Sequence, residues 1–268
     1  MLKSKQTKKM HKLFDTHAHY TDERLSDKPE LIQSIFDGDV SHIVTVASSI
    51  EDSKECIRLA EKYDRMYASV GIHPHECEHL TDLCGEMAEL EALASHKKVV
   101  AIGETGLDYH YDKDWELKQK EYFHAQLSLS EKLSLPVIIH DREAHGDVFD
   151  IIKAHPRTFG IIHSCSESAE MVKEYAKLGW YISFSGVVTF KNASKILESV
   201  KATPIDRLLV ETDCPYLSPV PMRGKDNSSA YIHYTAEKIA EVIGIEYDEL
   251  VRISTENAKR VFGLMEEQ

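Results

Sequence analysis

The 268-residue chain has no uninterrupted apolar run near the ~20 residues that a membrane-spanning helix needs. Its first twelve residues hold five lysines but lack the apolar segment of a signal peptide. There are five cysteines and no C-x-x-C motif; they are Cys56, Cys77, Cys84, Cys165 and Cys214. We therefore expect a cytoplasmic protein with reduced thiols and no membrane span.

Basic residues are also in deficit, with 32 lysines and arginines against 45 acidic residues and a formal net charge of −13. A protein whose whole surface attracts nucleic acid is normally basic. Any nucleic-acid substrate must therefore be bound through local positive charge or through metal ions. Residues 1–12 differ from this acidic composition because they are basic. We interpret them as a mobile basic tail, with contact to an anionic partner as the alternative. Since no linker or low-complexity segment follows, we expect residues 13–268 to form one domain.

Short β-branched runs alternate with helical patterns after residue 12. Eight such runs occur, at residues 13–19, 42–47, 67–73, 99–104, 136–140, 160–163, 181–185 and 207–213. The apolar residues between them recur at helical spacing, as in Ile232, Thr235, Ile239 and Val242. Eight strands that alternate with helices over ~250 residues favour an α/β fold, a (β/α)8 TIM barrel, over an open doubly wound sheet.

Residue types that bind metals recur at the ends of these runs. They are His17, His19, His73, Glu104, His140, His163 and Asp213. In a TIM barrel the carboxyl ends of all strands meet at one face, so residues far apart in the chain converge there. One such histidine is usually a hydrogen-bonded structural residue, whereas seven polar strand ends predict a metal centre.

The chemistry of these residues suits two divalent ions. His17 and His19 are two positions apart on a strand, so both side chains face the same way. Imidazole and carboxylate ligands accept Mg, Mn, Zn or Ni to different degrees. Two such ions, with one carboxylate bridging, would polarise a phosphoryl or carbonyl oxygen and lower the pKa of a bound water. Asp213 could hold an ion and also accept the proton of the attacking water.

Eight segments carry a resemblance to the TatD family of metal-dependent deoxyribonucleases, which are amidohydrolase-type barrels. In order, over residues 14–263, they are FDTHAH, GIHPH, AIGETGLDYH, PVIIHDREAH, IIH, GVVTFKNA, LLVETDCPYLSPVPMRGKDN and STENAKRVFG. The resemblance implies a TIM barrel, two divalent ions and hydrolysis of nucleic-acid phosphodiesters, often in the 3′→5′ direction. It also implies that Glu104 bridges the ions and that Glu104 and Asp213 are catalytic. The implied ligands are His17, His19, Glu104, His140, His163 and Asp213.

Two segments depart from the usual family pattern. After His163 the family usually has a C-F-S-G string, where this chain has Ser-Cys-Ser and then Glu167. The loop thus loses an aromatic residue and a glycine and gains an acid. In the segment RGKDN, Asp226 stands where a basic residue is usual. The first change puts the substrate contacts of that loop in doubt, and the second lowers the affinity that we expect for DNA.

Four residues outside the implied ligand set are candidates for substrate contact: His73, Arg142, Arg223 and Lys225. Arginine is the better fork for a phosphate, and lysine acts as a point charge. The simpler alternative is that these charged residues are only solvated, and Arg142 could pair with its neighbours Asp141 or Glu143. His73, at the end of the third run, could support a ligand or touch a phosphate.

Several functions remain open. The first is a two-metal deoxyribonuclease acting as a 3′→5′ exonuclease on DNA strand ends or single strands, with no obligate protein partner. The second is an amidohydrolase-type esterase or amidase, such as a D-aminoacyl-tRNA deacylase, and the third is a non-catalytic metal-stabilised binding protein. A fourth, a zinc protease, rests on the H-E-x-x-H string at residues 75–79. We interpret that string as a surface loop, because Pro74 precedes it and Asp82 is the expected N-cap of the next helix.

Overall fold

The computed structural model describes residues 11–26, 28–110 and 115–265. The predicted basic tail at residues 1–12 therefore lies outside the described residues except for His11 and Lys12. The strands are β1 (Leu13–Ala18), β2 (Val40–Thr45), β3 (Met66–Val70), β4 (Val99–Asp108), β5 (Val137–Arg142), β6 (Gly160–Ile162), β7 (Tyr181–Phe184) and β8 (Leu208–Val210).

Helices follow the strands in alternation. They are α1 (Pro29–Asp37), α2 (Ile50–Glu61), α3 (Leu83–Ala94), α4 (Glu116–Leu133), α5 (His145–Ala154), α6 (Ala169–Lys177), α7 (Ser194–Ala202), α8 (Ile232–Ile243) and α9 (Tyr247–Val261). Short 3-10 helices occupy Pro74–His79, Gly186–Thr189, Ile205–Arg207 and Ser229–Tyr231. No helix among the described residues combines the length and the apolar composition that a bilayer crossing requires.

The eight strands form one parallel sheet in the order of the sequence, from β1 to β8. The sheet closes just beyond β8, where the Asp213 amide donates to the His17 carbonyl at 2.9 Å and the His19 amide donates to the Cys214 carbonyl at 2.7 Å. The predicted (β/α)8 TIM barrel is confirmed. Every residue of β1 and of β4 is buried, as expected for strands covered on both faces.

The interior of the barrel is a separate apolar cluster. Its members include at least one buried residue from seven of the eight strands, together with the end of α9: Phe14, Val44, Val100, Ala101, Ile138, Ile161, Tyr181, Leu209, Ala258, Val261 and Phe262. Only the inside of a closed sheet touches so many strands at once. Phe14, near the start of β1, stacks on Phe262 with ring centroids 5.7 Å apart. The end of α9 therefore covers the amino-terminal end of the barrel, and the opposite end remains for the polar residues.

Two strands are longer than the sequence pattern indicated. β4 continues from Glu104 to Asp108, and β5 continues beyond His140 to Arg142. Polar residues and glycines hide this extension from a search for apolar runs. Gly106 has a φ of 144°, and a Cβ there would clash with the His140 carbonyl oxygen. Glycine therefore allows the two extended strands to stay paired next to the candidate ligands.

Packing inside the barrel predicts a contrast between two leucines. Leu209 is fully buried in the interior, whereas Leu117 is 83% exposed on α4. We expect Leu209→Ala to lower the free energy of unfolding by about 2–5 kcal/mol, because it removes buried methyl groups and leaves a cavity. Leu117→Ala should change it by less than about 0.5 kcal/mol. Denaturant unfolding followed by circular dichroism measures both, and equal losses would contradict the assignment of Leu209 to the core.

Candidate metal centre

The seven polar residues singled out in the sequence meet at the carboxyl end of the barrel. His17 and Glu104 lie within β1 and β4, and His140 lies within β5. The others stand one to three residues after their strands: His19, His73, His163 and Asp213. The expected convergence of distant strand ends is thus what the fold produces.

A single carboxylate lies at the middle of this cluster. Glu104 is 3% exposed, and its two oxygens face different histidines. Oε2 lies 3.4 Å from His17 Nε2 and 3.7 Å from His19 Nε2. Oε1 lies 2.7 Å from His140 Nδ1, 3.5 Å from His163 Nε2 and 3.9 Å from His73 Nε2. One buried carboxylate therefore divides five imidazoles into two groups.

Asp213 joins the group on the Oε2 side. Its Oδ1 lies 3.3 Å from His19 Nε2 and 3.7 Å from His17 Nε2. The Asp213 backbone has a φ of 59°, in the left-handed region that non-glycine residues seldom adopt. The hydrogen bond from its amide to the His17 carbonyl holds this turn against β1. The strained turn is thus what directs the carboxylate towards both histidines.

The donor set fits divalent metal ions. The Nε2 atoms of His17 and His19 lie 3.1 Å apart and both face carboxylates. Burial lowers the pKa of His17, and the neighbouring His163 lowers it further. Burial alone would raise the pKa of Glu104, but His17 and His163 outweigh it and hold that pKa well below its usual range. Against the effect of burial, nearby carboxylates raise the pKa of His19, His140 and His163. Metal binding would therefore release protons from these rings, since the neutral imidazole is the form that binds metals.

Comparison with known proteins agrees with this geometry. A family model described as "TatD related DNase" matches residues 14–263. The chain is 45% identical over 253 residues to the uncharacterized metal-dependent hydrolase YabD of Bacillus subtilis, covering 93% of this chain and 98% of that protein. The chain belongs to the TatD family. It is also 35% identical over 256 residues to the uncharacterized metal-dependent hydrolase YcfH of Escherichia coli K12, covering 93% of this chain and 95% of that one.

A solved structure supports the same placement. The crystal structure of YJJV, a TatD homolog from Escherichia coli K12, matches with a TM-score of 0.87 and 28% sequence identity, covering 94% of this chain and 98% of that chain. The present protein is therefore a metal-dependent hydrolase of the TatD family built on a TIM barrel. Its candidate ligands all lie within the region that the family model matches.

Buried acids orient the histidines from behind in this TatD-family chain. Glu211 is fully buried, and its Oε1 lies 2.8 Å from His163 Nδ1. Asp108 Oδ2 lies 3.1 Å from His140 Nε2. Each acid faces the ring nitrogen that points away from Glu104; the Asp108 contact is a hydrogen bond, and the Glu211 contact is an ion pair without hydrogen-bond alignment. Sequence reasoning did not assign Glu211 or Asp108, although Glu211 stands two residues before Asp213 and Asp108 ends β4.

A further buried acid holds the two ends of the sheet together. Asp15 is fully buried and accepts hydrogen bonds from Thr212 N at 2.9 Å, Thr212 Oγ1 at 2.6 Å and Ser229 Oγ at 2.6 Å. Burial raises the pKa of Asp15 to about 7, against the lowering effect of these hydrogen bonds. Asp15 therefore connects β1 to the segment that carries Asp213.

An open cleft of about 1120 Å³ lies over the candidate ligands. Of the described residues that line it, eight are acidic and Arg142 is the one lysine or arginine; the acids are Asp22, Asp52, Glu76, Glu78, Glu104, Asp108, Asp141 and Asp213. His73 also lines the cleft. Arg223 lies elsewhere, with its guanidinium 4.0 Å from the Phe190 ring centroid, and Lys225 is exposed outside the lining. Substrate contacts by these two residues stay predictions and require a substrate that extends beyond the cleft.

The H-E-x-x-H string has a different structure from the one expected. It lies in the 3-10 helix Pro74–His79 and not in an irregular surface loop, so the loop prediction is wrong. Proline at the first helical position and the His73 imidazole, which accepts from the His75 amide, start this short helix. His75 Nε2 lies 2.9 Å from Asp108 Oδ2. A 3-10 helix does not place residues i and i+4 on one face, so the zinc-protease arrangement does not form.

The N-cap prediction for Asp82, which begins the next helix, is confirmed, since its side chain accepts from Gly85 N at 3.0 Å.

The carboxylate behind His163 predicts a test of metal affinity. We expect Glu211→Gln to weaken Mn²⁺ binding about 10–100-fold, because the histidine loses the charged partner that orients its ring. Isothermal titration calorimetry of the purified protein measures this. Glu198→Gln, at a side chain 68% exposed on α7, is the matched control and should leave the affinity unchanged. Equal affinities for the two variants would argue against an orienting role for Glu211.

Proposed function

We propose that this protein is a two-metal phosphodiesterase that removes nucleotides from the 3′ ends of single-stranded DNA. The observation that carries the proposal is the position of Glu104, whose two oxygens each face a separate group of imidazoles. One ion would be held by His17, His19, Asp213 and Glu104. A second would be held by His140, His163 and Glu104, with a carboxylate bridging as in other two-metal sites.

Divalent ions held there would polarise a phosphoryl oxygen and lower the pKa of the attacking water. The remaining steps belong to the protein. The Asp213 carboxylate, 14% exposed towards the cleft, accepts the proton that the water loses. Attack at phosphorus breaks the bond to the 3′ oxygen of the preceding nucleotide; that oxygen takes the proton from Asp213 and leaves as a hydroxyl group. The products are a 5′-mononucleotide and a strand shortened by one residue.

Other residues of the cleft would bind and orient the strand. Arg142 lines the cleft two residues after His140, and a guanidinium group is the planar fork that matches a phosphate. His73 lies 3.9 Å from Glu104 and can donate to a phosphate oxygen. Tyr216, 47% exposed at the rim, offers a ring face on which a terminal base could stack.

The charge of the cleft supports a strand end as substrate. Duplex DNA carries one negative charge per about 1.7 Å along its axis. A long duplex would therefore bring several phosphates against carboxylates such as Asp22, Asp52 and Glu76, whereas a strand end brings one or two to the centre. Local recognition of this kind agrees with the net charge of −13.

The same acidic lining favours one alternative substrate. An aminoacyl ester at the end of an RNA carries a free ammonium group next to its carbonyl carbon. Carboxylates at the rim would attract that group, and the centre would polarise the carbonyl oxygen as readily as a phosphoryl oxygen. A D-aminoacyl-tRNA deacylase is therefore the second candidate function.

The role of Asp213 predicts the outcome of a nuclease assay. With Mg²⁺ or Mn²⁺ the wild-type protein should shorten a 5′-labelled single-stranded oligonucleotide from its 3′ end. We expect Asp213→Asn to slow this about 10²–10⁴-fold, because the general base is removed. Asp206→Asn, at a side chain 65% exposed, should cleave like wild type. Unchanged cleavage by Asp213→Asn would remove Asp213 from the mechanism.

A substrate panel separates the two candidate functions. Single-stranded DNA, blunt duplex DNA and D-aminoacyl-tRNA are each incubated with the metal-loaded protein and with Glu104→Ala as a control for contaminating enzymes. We expect the single strand to be cleaved at least about tenfold faster than the duplex, because the acidic rim repels the second strand. Rapid release of amino acid from the tRNA without cleavage of DNA would replace the nuclease proposal with the deacylase.

A further inference from the structure

A second cluster of metal-binding side chains lies outside the candidate centre. His145, in the first turn of α5, has its Nδ1 3.0 Å from Asp141 Oδ1 and 3.1 Å from Glu167 Oε1. Asp141 lies in β5, and Glu167 lies in the loop between β6 and α6. The three ligand atoms all lie within 4.8 Å of one another. The cluster therefore connects three separate segments of the barrel rim.

The polar atoms of this cluster are buried and lack hydrogen-bond partners. The side chains of Asp141 and Glu167 are each 3% exposed. Both Asp141 oxygens, Glu167 Oε1 and His145 Nδ1 are buried without a partner of hydrogen-bond geometry. The short contacts to His145 Nδ1 are thus not aligned for donation by an N–H group.

Charge also favours a cation at this position. Burial raises the pKa of Glu167, and its contact with the Asp141 carboxyl raises it further, against the lowering effect of His145. Contacts with Asp141 and Glu167 also raise the pKa of His145 to about 10, so without an ion the cluster holds two protons, one on His145 and one on Glu167. A divalent ion would balance both carboxylates and leave His145 neutral.

The spacing of the donor atoms agrees with a metal ion. Ligand atoms about 2.1 Å from one ion lie about 3.0 Å apart when they subtend a right angle at it. The two contacts of His145 Nδ1, at 3.0 and 3.1 Å, are of this length, which is also that of an ordinary N–H···O contact. One imidazole and two carboxylates form a donor set that suits Zn²⁺ or Mn²⁺ better than Ca²⁺.

We propose that Asp141, His145 and Glu167 bind a further divalent transition-metal ion, separate from the ions at Glu104. This ion ties the end of β5 and the start of α5 to the loop after β6. Since Asp141 follows His140 and Glu167 stands four residues after His163, it stabilises the two segments that position those histidines.

Zinc stoichiometry tests the proposal. Wild type, Glu167→Gln and Glu170→Gln are saturated with Zn²⁺ and gel-filtered, and bound zinc is measured by mass spectrometry. Glu170 is exposed in the first turn of α6 and serves as the matched acidic control. We expect Glu167→Gln to hold one equivalent fewer than the other two proteins. Equal zinc content in all three, with unchanged circular dichroism, would overturn the proposal.

Diffraction locates the ion independently of any variant. Crystals of the wild-type protein soaked in Zn²⁺ should give an anomalous peak within about 2.3 Å of all three ligand atoms. Anomalous peaks at Glu104 alone would overturn the proposal even if Glu167→Gln failed to fold. Peaks at the three-residue cluster alone would support it while counting against the two-metal centre. The two proposals therefore fail separately.

Discussion

The Glu104 carboxylate is nearly inaccessible to solvent and lies within 4 Å of five imidazoles. A carboxylate buried without compensation is unfavourable by several kcal/mol. Its stability as an anion therefore depends on histidines that reach it from other strands. The same contacts give the site its two halves, since each oxygen faces its own group of rings. The rest of the centre, including the acids behind the rings, serves to keep this arrangement in place.

Closure of the barrel is the second requirement, because the histidines approach Glu104 only when the first and last strands meet. Asp15 holds these strands together by accepting hydrogen bonds from Thr212 and Ser229, and the Asp213 amide donates to the His17 carbonyl. At the other end, Phe14 and Phe262 fill the interior. Apolar packing thus occupies one end of the barrel and buried polar contacts the other. The division explains how a stable core coexists with a concentrated polar site.

The cleft above the centre constrains the choice of substrate. Among the described residues that line it, eight acids stand against one arginine and no lysine, which disfavours a broad electrostatic attraction for nucleic acid. In the proposed reaction, positive charge would come from bound ions and would be confined to the reacting group. This favours substrates that present one phosphate or one ester at a chain end. The loops that depart from the usual family strings carry Glu167, which is buried, and Asp226, which is exposed.

Periodicity and strand-end chemistry alone were enough to predict the barrel and the residues that converge at one face, because both depend on patterns local in sequence. They did not reveal the extension of β4, the 3-10 helix at Pro74–His79 or the roles of Glu211 and Asp108. They also did not place Arg223 and Lys225 outside the cleft. These features depend on distances between segments far apart in the chain, such as the 2.8 Å between Glu211 and His163. The sequence by itself determined which groups are available for metal chemistry. Only the tertiary structure decided which nitrogen faces which oxygen, because strand register and side-chain packing set those distances.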